Sequence, residues 1–534
     1  MHNDGLVYSK IVDCLSACKQ LISTSQWMRH THGAIYDVET RMHEPMQLAI
    51  VGRISSSKST LVNAILGKAD VVRTGHEAET FNVSWLKYGD DNAPIVVHFK
   101  NGQTQSIERN QWAEWASHKG QQSLKTQVKY IEVTSHYEML KYINIIDTPG
   151  LDATSKVDSE NTIEFLKSVN PDAVILLFSK SLSEDTLKLI SEFQQTENSI
   201  AFSINPMNAL GILSKVDVNW DILSNNDPIK ASEMAITRTL SSRSDVNKSL
   251  FKILPVSALI GLASSTISEF DMSIFQQIAS LNDDILDEMF EGVQDFCDEY
   301  NTITISSSIR KQLVEKYSLY GVYICVKEIQ NNTNITLTEL SKILRKQSGF
   351  DTFLKLVTSH FGDRAQLIKA QRGMLSLLEA IRKDQVAVKN QEQTNLIKSI
   401  YSRILSIEND LHELKEWSLL LQIYEDKVTV DGEFMVEFLR IAGEKGHSAM
   451  DKLDLDTVTD ISVMEERALE RYHYWKTKYN AWYGLSHAKA EPYSIIARSY
   501  ELLASRLKSQ RKAFEDAQRT IRIFKHYIYG EDTL

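Results

Sequence analysis

The chain has 534 residues, 43% of them hydrophobic and 24% charged, the composition of a folded protein of roughly two to four domains. Its formal net charge of −11 excludes a nucleic-acid binder ruled by one basic field. No stretch reaches the roughly 18 apolar residues of a spanning helix, the start "MHNDGLVYSK" lacks a secretory pattern, and Cys14, Cys18, Cys297 and Cys325 read as free thiols of a reducing cytosol.

In chain order, the segment before Pro45 carries Leu6, Ile11, Leu15, Cys18, Leu21 and Ile22 at helical spacing and reads as one helix that must dock elsewhere. From Pro45 to Pro255 the pattern changes. "MQLAIVG", "APIVVHF", "YINIID", "DAVILLFS", "ALGILSKVD" and "KILPVSA" are short apolar runs ending in turn or polar residues, with helical stretches such as 60–66 and 159–168 between them. That alternation predicts an α/β domain with a mainly parallel sheet and helices on both faces. Asn101–Gly102, between alternating residues, predicts a hairpin.

Four motifs punctuate this region. "GRISSSKST", Gly52 to Thr60, follows a strand and opens a helix, the setting of a phosphate-binding loop. The backbone of Ser55, Ser56, Ser57, Ser59 and Thr60 would surround phosphate oxygens. Lys58 would reach the β/γ-phosphates and the Ser59 hydroxyl would ligand Mg²⁺. The loop departs from GxxxxGK[ST] at one position, where Ser57 replaces glycine. "INIIDTPGLD" then places Asp147, a Mg²⁺-holding carboxylate, at a strand end, with Gly150 letting its N–H approach a γ-phosphate. "SKVD" places Lys215 and Asp217 in what resembles the guanine-specificity motif. Asp217 can accept N1–H and the 2-amino group of guanine, a pair adenine does not supply, while the Lys215 stem covers the base. Ser257–Ala258 resembles the short base-contacting loop. A threonine is also needed between the first two motifs, to ligand Mg²⁺ by its hydroxyl and meet the γ-phosphate by its N–H. Thr80 is the choice and Thr74 the alternative. Four signals in this order, each at a strand end, predict a P-loop GTPase domain binding GTP or GDP with Mg²⁺.

From Val256 to Glu491 there is no proline, which favours helix. Ile397, Ile400, Ile404, Ile407, Leu411 and Leu414 form one heptad seam, with Leu421 in phase. Leu503, Leu507, Phe514, Ala517, Ile521, Phe524 and Ile528 form a second. Both imply long helices packed side by side, as an intrachain bundle or as a coiled coil between chains. Leu419, Leu420, Leu421, Phe434, Met435 and Phe438 are candidates for either a membrane paddle or trunk core. Tyr472, Tyr474, Trp475, Tyr479, Trp482 and Tyr483 with Lys476 and Lys478 suit either a membrane interface or a bundle surface. His30, His32 and His43 read as ordinary polar residues.

The whole chain resembles the bacterial dynamin-like GTPases. The resemblance is carried by "VGRISSSKSTLVNAILG", by the long interval from Lys58 to Asp147, and by "LVEKYSLYGVYICVKEI". Within that family the chain resembles the enterotoxin-output Leo type. The resemblance implies an all-α neck and trunk beside the GTPase domain: 1–44 as a neck helix, 45–270 as the GTPase domain, 271–375 as neck and upper trunk, 376–490 as trunk with a tip or paddle, and 491–534 returning to the neck. It implies GTP hydrolysis assisted by GTPase-domain dimerisation and coupled to stalk movement in membrane remodelling. The protein would be cytoplasmic and peripheral at the inner membrane, with itself, lipid and related dynamin-like proteins as partners and no nucleic acid. Lys58, Thr80 and Gly150 would serve catalysis. So would Ser55, which contributes to the transition state in the family. Where eukaryotic dynamins hold a catalytic glutamine, this chain has Ile54. With Ser57, that points to slow turnover. The alternative is a nucleotide-switched scaffold with weak or no hydrolysis and no lipid contact.

Overall fold

In the computed structural model the described residues are 4–53, 55–69, 71, 82–112, 115, 127–150, 166, 169–182, 190, 205–222, 226–243, 246, 248–299, 304–362, 364–424, 426–443, 446, 448–455 and 457–529. They divide into two compact units, Asp37–Arg372 and a second formed by Met1–Tyr36 with Gly373–Leu534.

The first unit is built on a sheet of β1 (Met46–Gly52), β2 (Ser84–Tyr88), β3 (Ile95–Phe99), β4 (Thr104–Ile107), β5 (Val128–Ser135), β6 (Ile143–Asp147), β7 (Ala173–Ser179), β8 (Ala209–Ser214) and β9 (Ile253–Val256), in the order β4-β3-β5-β2-β6-β1-β7-β8-β9. From β6 through β1, β7 and β8 to β9 every pairing is parallel. All residues of β1, β6 and β8 are buried. Strands covered on both faces need no polar alternation, which is why they read as continuous apolar runs. The other edge is mixed: β2 is antiparallel to β6, parallel to β5, and β3 is antiparallel to both β4 and β5. The Asn101–Gly102 hairpin forms between β3 and β4. Gly102 takes φ 86°, and Asn101 Oδ1 accepts from Gln103 N at 3.0 Å.

Helix α3 (Lys58–Leu66) leaves the end of β1 and stops at Gly67, left-handed at φ 65°, whose N–H satisfies the last carbonyls. The predicted helix at 159–168 lies, but for residue 166, outside the described residues. After β9 the chain turns helical within the same unit. Phe275, Tyr317, Cys325, Leu340 and Leu344 anchor a second buried cluster, separate from the sheet core around Val51, Leu176 and Phe178.

In the second unit the N-terminal stretch differs from the single predicted helix. Helix α1 (Asp4–Ile22) ends at a turn in which Ser23 Oγ donates to Gln20 O and Ser25 N to Ile22 O, and α2 (Arg29–His43) begins after it. Serine hydroxyls compete for helix carbonyls, so the polar run 23–26 breaks the helix. Val7, Ile11, Leu15 and Cys18 are buried, as are Ile397, Ile400, Ile404 and Ile407 of the Gln391–Asp410 helix. Lys10 Nζ donates to Asp410 O at 3.1 Å across these two helices. The first seam thus packs as expected, although Leu411 breaks the helix with φ −114°, ψ 99° before His412–Tyr424 resumes it. The final pair, Ile461–Tyr483 and His487–Tyr529, folds into a hairpin.

Burial bears on two alternatives that the sequence left open. Leu419, Leu420, Phe434 and Phe438 are buried, with Phe434 packed edge-on against Trp475 and Tyr493 at 5.5 and 5.6 Å. These four are core, the second of the two readings, while Leu421 and Met435 are half-buried. In the aromatic run Trp475 is buried, and Lys476 and Lys478 lie over the Tyr479 and Tyr474 rings at 4.7 and 5.5 Å, a bundle surface with snorkelling cations. The second seam is only half covered. Leu507 is buried, whereas Phe514, Ile521 and Phe524 are 60%, 56% and 64% exposed.

Candidate functional site

The site forms at the carboxyl ends of β1, β6 and β8, where a parallel sheet places its ligands. Gly52 ends β1 with no room for a side chain: a Cβ there would stand 2.6 Å from Ser56 Oγ and 2.9 Å from Leu177 Cβ. The loop that follows is tightly wound. Ser56 N donates to Arg53 O at 3.2 Å, and Ser55 and Ser57 both take left-handed backbone, at φ 59° and 68°. Ser57 therefore occupies the conformation for which glycine is expected, at a cost of about 1 kcal/mol for its Cβ. Leu61 N donates to Ser57 O at 2.9 Å, closing the first turn of α3.

Lys58 is buried, and its Nζ donates back to Gly52 O at 3.1 Å and Arg53 O at 3.0 Å, so the ammonium is held over the loop. Burial lowers its pKa to about 8, with Asp147 opposing that shift. Asp147, at the end of β6, is fully buried and accepts from Ser59 Oγ at 3.2 Å through Oδ2. Its Oδ1 is buried without a hydrogen-bond partner. Burial pushes this carboxyl up to about 6, against the pull of Lys58 and the Ser59 hydroxyl. A buried carboxylate with one orphaned oxygen beside a serine hydroxyl is an oxygen donor set suited to Mg²⁺, and the residues present fit that ion. The Ser56 hydroxyl is likewise buried and unpartnered. Thr60 is half-buried in the first turn of α3, Thr148 Oγ1 donates to Ile50 O at 2.9 Å, and Gly150 is half-buried at the end of the turn after β6. Thr80, Thr74 and Ile54 lie outside the described residues.

The guanine-motif residues stand at the end of β8, two strands from β1. Lys215 takes left-handed backbone at φ 57°, and burial followed by the nearby Lys180 ammonium lowers its pKa. Asp217 is buried in the short turn Val216–Asn219. Ser214, the first residue of the motif, does something the sequence did not reveal. Its Oγ donates to Ser56 O at 2.9 Å, with Phe178 O at 3.0 Å, tying the base-side strand to the phosphate loop. Only its polarity at a buried strand end hinted at that role. Lys180 is also new, and no sequence signal pointed to it: it directly follows β7 at φ 63° and Asn219 Nδ2 donates to its carbonyl at 3.3 Å. Ser257 serves as the N-cap of the Ala258–Thr266 helix, its Oγ accepting from Ile260 N at 3.3 Å, which leaves backbone as the means of any base contact there. The structure thus brings Gly52, Ser55, Ser56, Ser57, Lys58, Ser59 and Asp147 into one cluster and links it to the Lys215–Asp217 turn through Ser214.

A phosphate loop on the central strand of a parallel sheet, with a carboxylate at the end of the next strand, defines a P-loop domain of the GTPase kind. Residues 48–215 match the profile of the Dynamin family, and the chain is similar to bacterial dynamin-like GTPases. It is 22% identical over 499 residues to the isoniazid-induced protein IniC of Mycobacterium tuberculosis, covering 89% of this chain and 93% of that protein. It is 31% identical over 160 residues to Dynamin-like protein 2 of Campylobacter jejuni, covering 29% of this chain and 25% of that protein. A solved structure described as an oligomerised bacterial dynamin pair that senses and tethers membranes aligns over 98% of this chain and 78% of its own, at 16% identity and TM-score 0.31. Among the described residues no helix is long and apolar enough to cross a membrane.

Proposed function

We propose that this protein binds Mg²⁺-GTP at the Gly52–Asp147 cluster, hydrolyses it slowly, and couples hydrolysis and GTPase-domain dimerisation to movement of its helical segments at a membrane. The observation that carries the reading is the pairing of Ser59 with a buried Asp147 whose second oxygen has no partner, beside a buried Lys58. A buried carboxylate oxygen left without a partner is unfavourable without a ligand. Magnesium would supply charge neutralisation for the phosphates, Ser59 and Asp147 would hold it with Thr80, and Lys58 would bind phosphate oxygens. Ser55 and Gly150 would present backbone to the γ-phosphate, and Asp217 and Lys215 would select guanine, with Ser257 and Ala258 at the base edge. In this reading residues 45–270 carry the nucleotide and 1–44, 271–375, 376–490 and 491–534 serve as neck and trunk. The membrane role and the peripheral cytoplasmic location rest on the resemblance to bacterial dynamin-like proteins.

The test is guanine-nucleotide affinity with and without Mg²⁺, followed by GTP turnover across protein concentration. Affinity should require Mg²⁺, turnover per molecule should rise with concentration, and Lys58→Ala should abolish both. Equal turnover in Lys58→Ala would assign the activity elsewhere. The left-handed Ser57 favours a second reading, a nucleotide-switched scaffold without lipid contact. Tight binding with no turnover at any concentration would select it.

A further inference from the structure

The last helix, His487–Tyr529, changes character along its length. Up to Leu507 its apolar residues are packed, and Arg511 closes the hairpin by pairing with Glu465 at 2.9 Å. Beyond that point Phe514, Ile521, Ile523, Phe524 and Tyr527 are 56–88% exposed. At ~100° per residue these side-chain positions spread over about half of the helix circumference. Lys508, Lys512, Arg519 and Arg522 fall on the opposite half, and all four are exposed. Residues 506–524 hold six basic and two acidic residues in a chain whose net charge is −11. One of those acids, Glu515, is already engaged by Arg511 at 2.8 Å.

We infer that this exposed helix, residues 508–527, is an interfacial helix that lies on an anionic lipid surface. The apolar half would enter the acyl boundary and the basic half would meet the headgroups. Two observations choose lipid over a second copy of the chain. A two-helix seam uses a narrow stripe, and Ile523 and Tyr527 lie well outside the stripe that Phe514, Ile521 and Phe524 define. Pairing two copies of this segment would also bring its excess of positive charge together, whereas an anionic surface complements it. Four of the six paddle candidates, Leu419, Leu420, Phe434 and Phe438, are buried, whereas this face is an exposed apolar surface among the described residues of the helical unit. The inference deepens the membrane part of the reading above and rests on it, and it is independent of GTP hydrolysis.

The test is co-sedimentation of the full chain with vesicles of phosphatidylcholine alone or with about one third phosphatidylglycerol. The protein should pellet with the anionic vesicles and release as salt rises from about 0.1 to about 0.5 M. The double variant Ile521→Glu/Phe524→Glu should weaken binding by about tenfold or more, and Arg519→Glu/Arg522→Glu should remove the preference for anionic lipid. Both should keep wild-type helicity and basal GTP turnover, because the altered side chains are exposed and far along the chain from the nucleotide cluster. Undiminished pelleting of the apolar double variant would overturn the assignment of this surface while leaving membrane binding intact. Failure of the unaltered protein to pellet with any vesicle would overturn both. A wild-type dimer by light scattering that Ile521→Glu/Phe524→Glu dissociates, without lipid binding, would show the face to be an interface between copies and overturn the inference.

Discussion

Asp147→Asn should make the nucleotide-free protein more stable while destroying its Mg²⁺-dependent affinity. Asp147 is fully buried, and burial raises its carboxyl from 3.8 to about 6. A shift of about two units is worth about 3 kcal/mol of stability that is present when the carboxyl is protonated. Because the folded-state pKa is the higher one, that contribution is complete below about pH 4 and is lost as pH rises through about 6. Asparagine keeps the neutral form at every pH and can still accept from Ser59. Against this, Lys58 loses the attraction that opposes its own desolvation, so the net gain near pH 7.5 should be about 1–2 kcal/mol. Denaturation midpoints of the unit that carries the sheet, measured at about pH 4.5 and about 7.5, give the assay. The variant should exceed wild type clearly at the higher pH and by much less at the lower one. A variant less stable than wild type at about pH 7.5, or a difference equal at both, would refute the claim that the carboxylate is held charged at a cost. Titration with guanine nucleotide supplies the other half, since Mg²⁺ should tighten binding to wild type and leave Asp147→Asn unchanged.

Three further outcomes follow from the same geometry. Ser57→Gly should stabilise the free protein by about 0.5–1 kcal/mol by removing Cβ from left-handed backbone and should bind nucleotide at least as tightly, read by melting temperature and titration. A loss of stability would show that the Ser57 side chain is used. Nucleotide affinity should peak between about pH 6 and about 8, because Asp147 must be ionised and Lys58 protonated. Affinity that stays flat down to pH about 5 would detach the carboxylate from the metal. Asp217→Asn should exchange an acceptor for a mixed donor–acceptor, lowering GTP affinity by about a hundredfold while favouring the xanthine nucleotide, whose 2-position carries a carbonyl. A competition assay with both nucleotides reads this, and unchanged preference would move guanine selection away from Asp217.

How much of this was legible depends on how far apart the interacting residues lie in sequence. The strands of the sheet were legible because β1, β6, β7 and β8 are apolar almost throughout, and the local strand–loop–helix grammar then placed Lys58, Ser59 and Asp147 at strand ends. Backbone conformation at Ser57 was legible too, since the missing glycine marks where φ must be positive. The bond from Ser214 to Ser56 was not, because it exists only once β7 has inserted between β1 and β8. Helix periodicity failed in a different way. It carried the first seam through Leu411 without registering the break, since the apolar spacing of three and four continues across it even though the Gln391–Asp410 helix packs on Asp4–Ile22 and His412–Tyr424 packs on the last helix. It also marked Phe434 and Phe524 as equally apolar. Phe434 is covered because Trp475 and Tyr493 return to it from some forty and sixty residues away, a contact no local window contains. Phe524 stays exposed because it lies about three and a half helical turns beyond Arg511, which pairs with Glu465 near the end of the shorter arm of the hairpin. An amphipathic pattern states that a face is apolar and leaves open what covers it, and at the end of the last helix that difference separates a packed seam from a surface free to meet lipid.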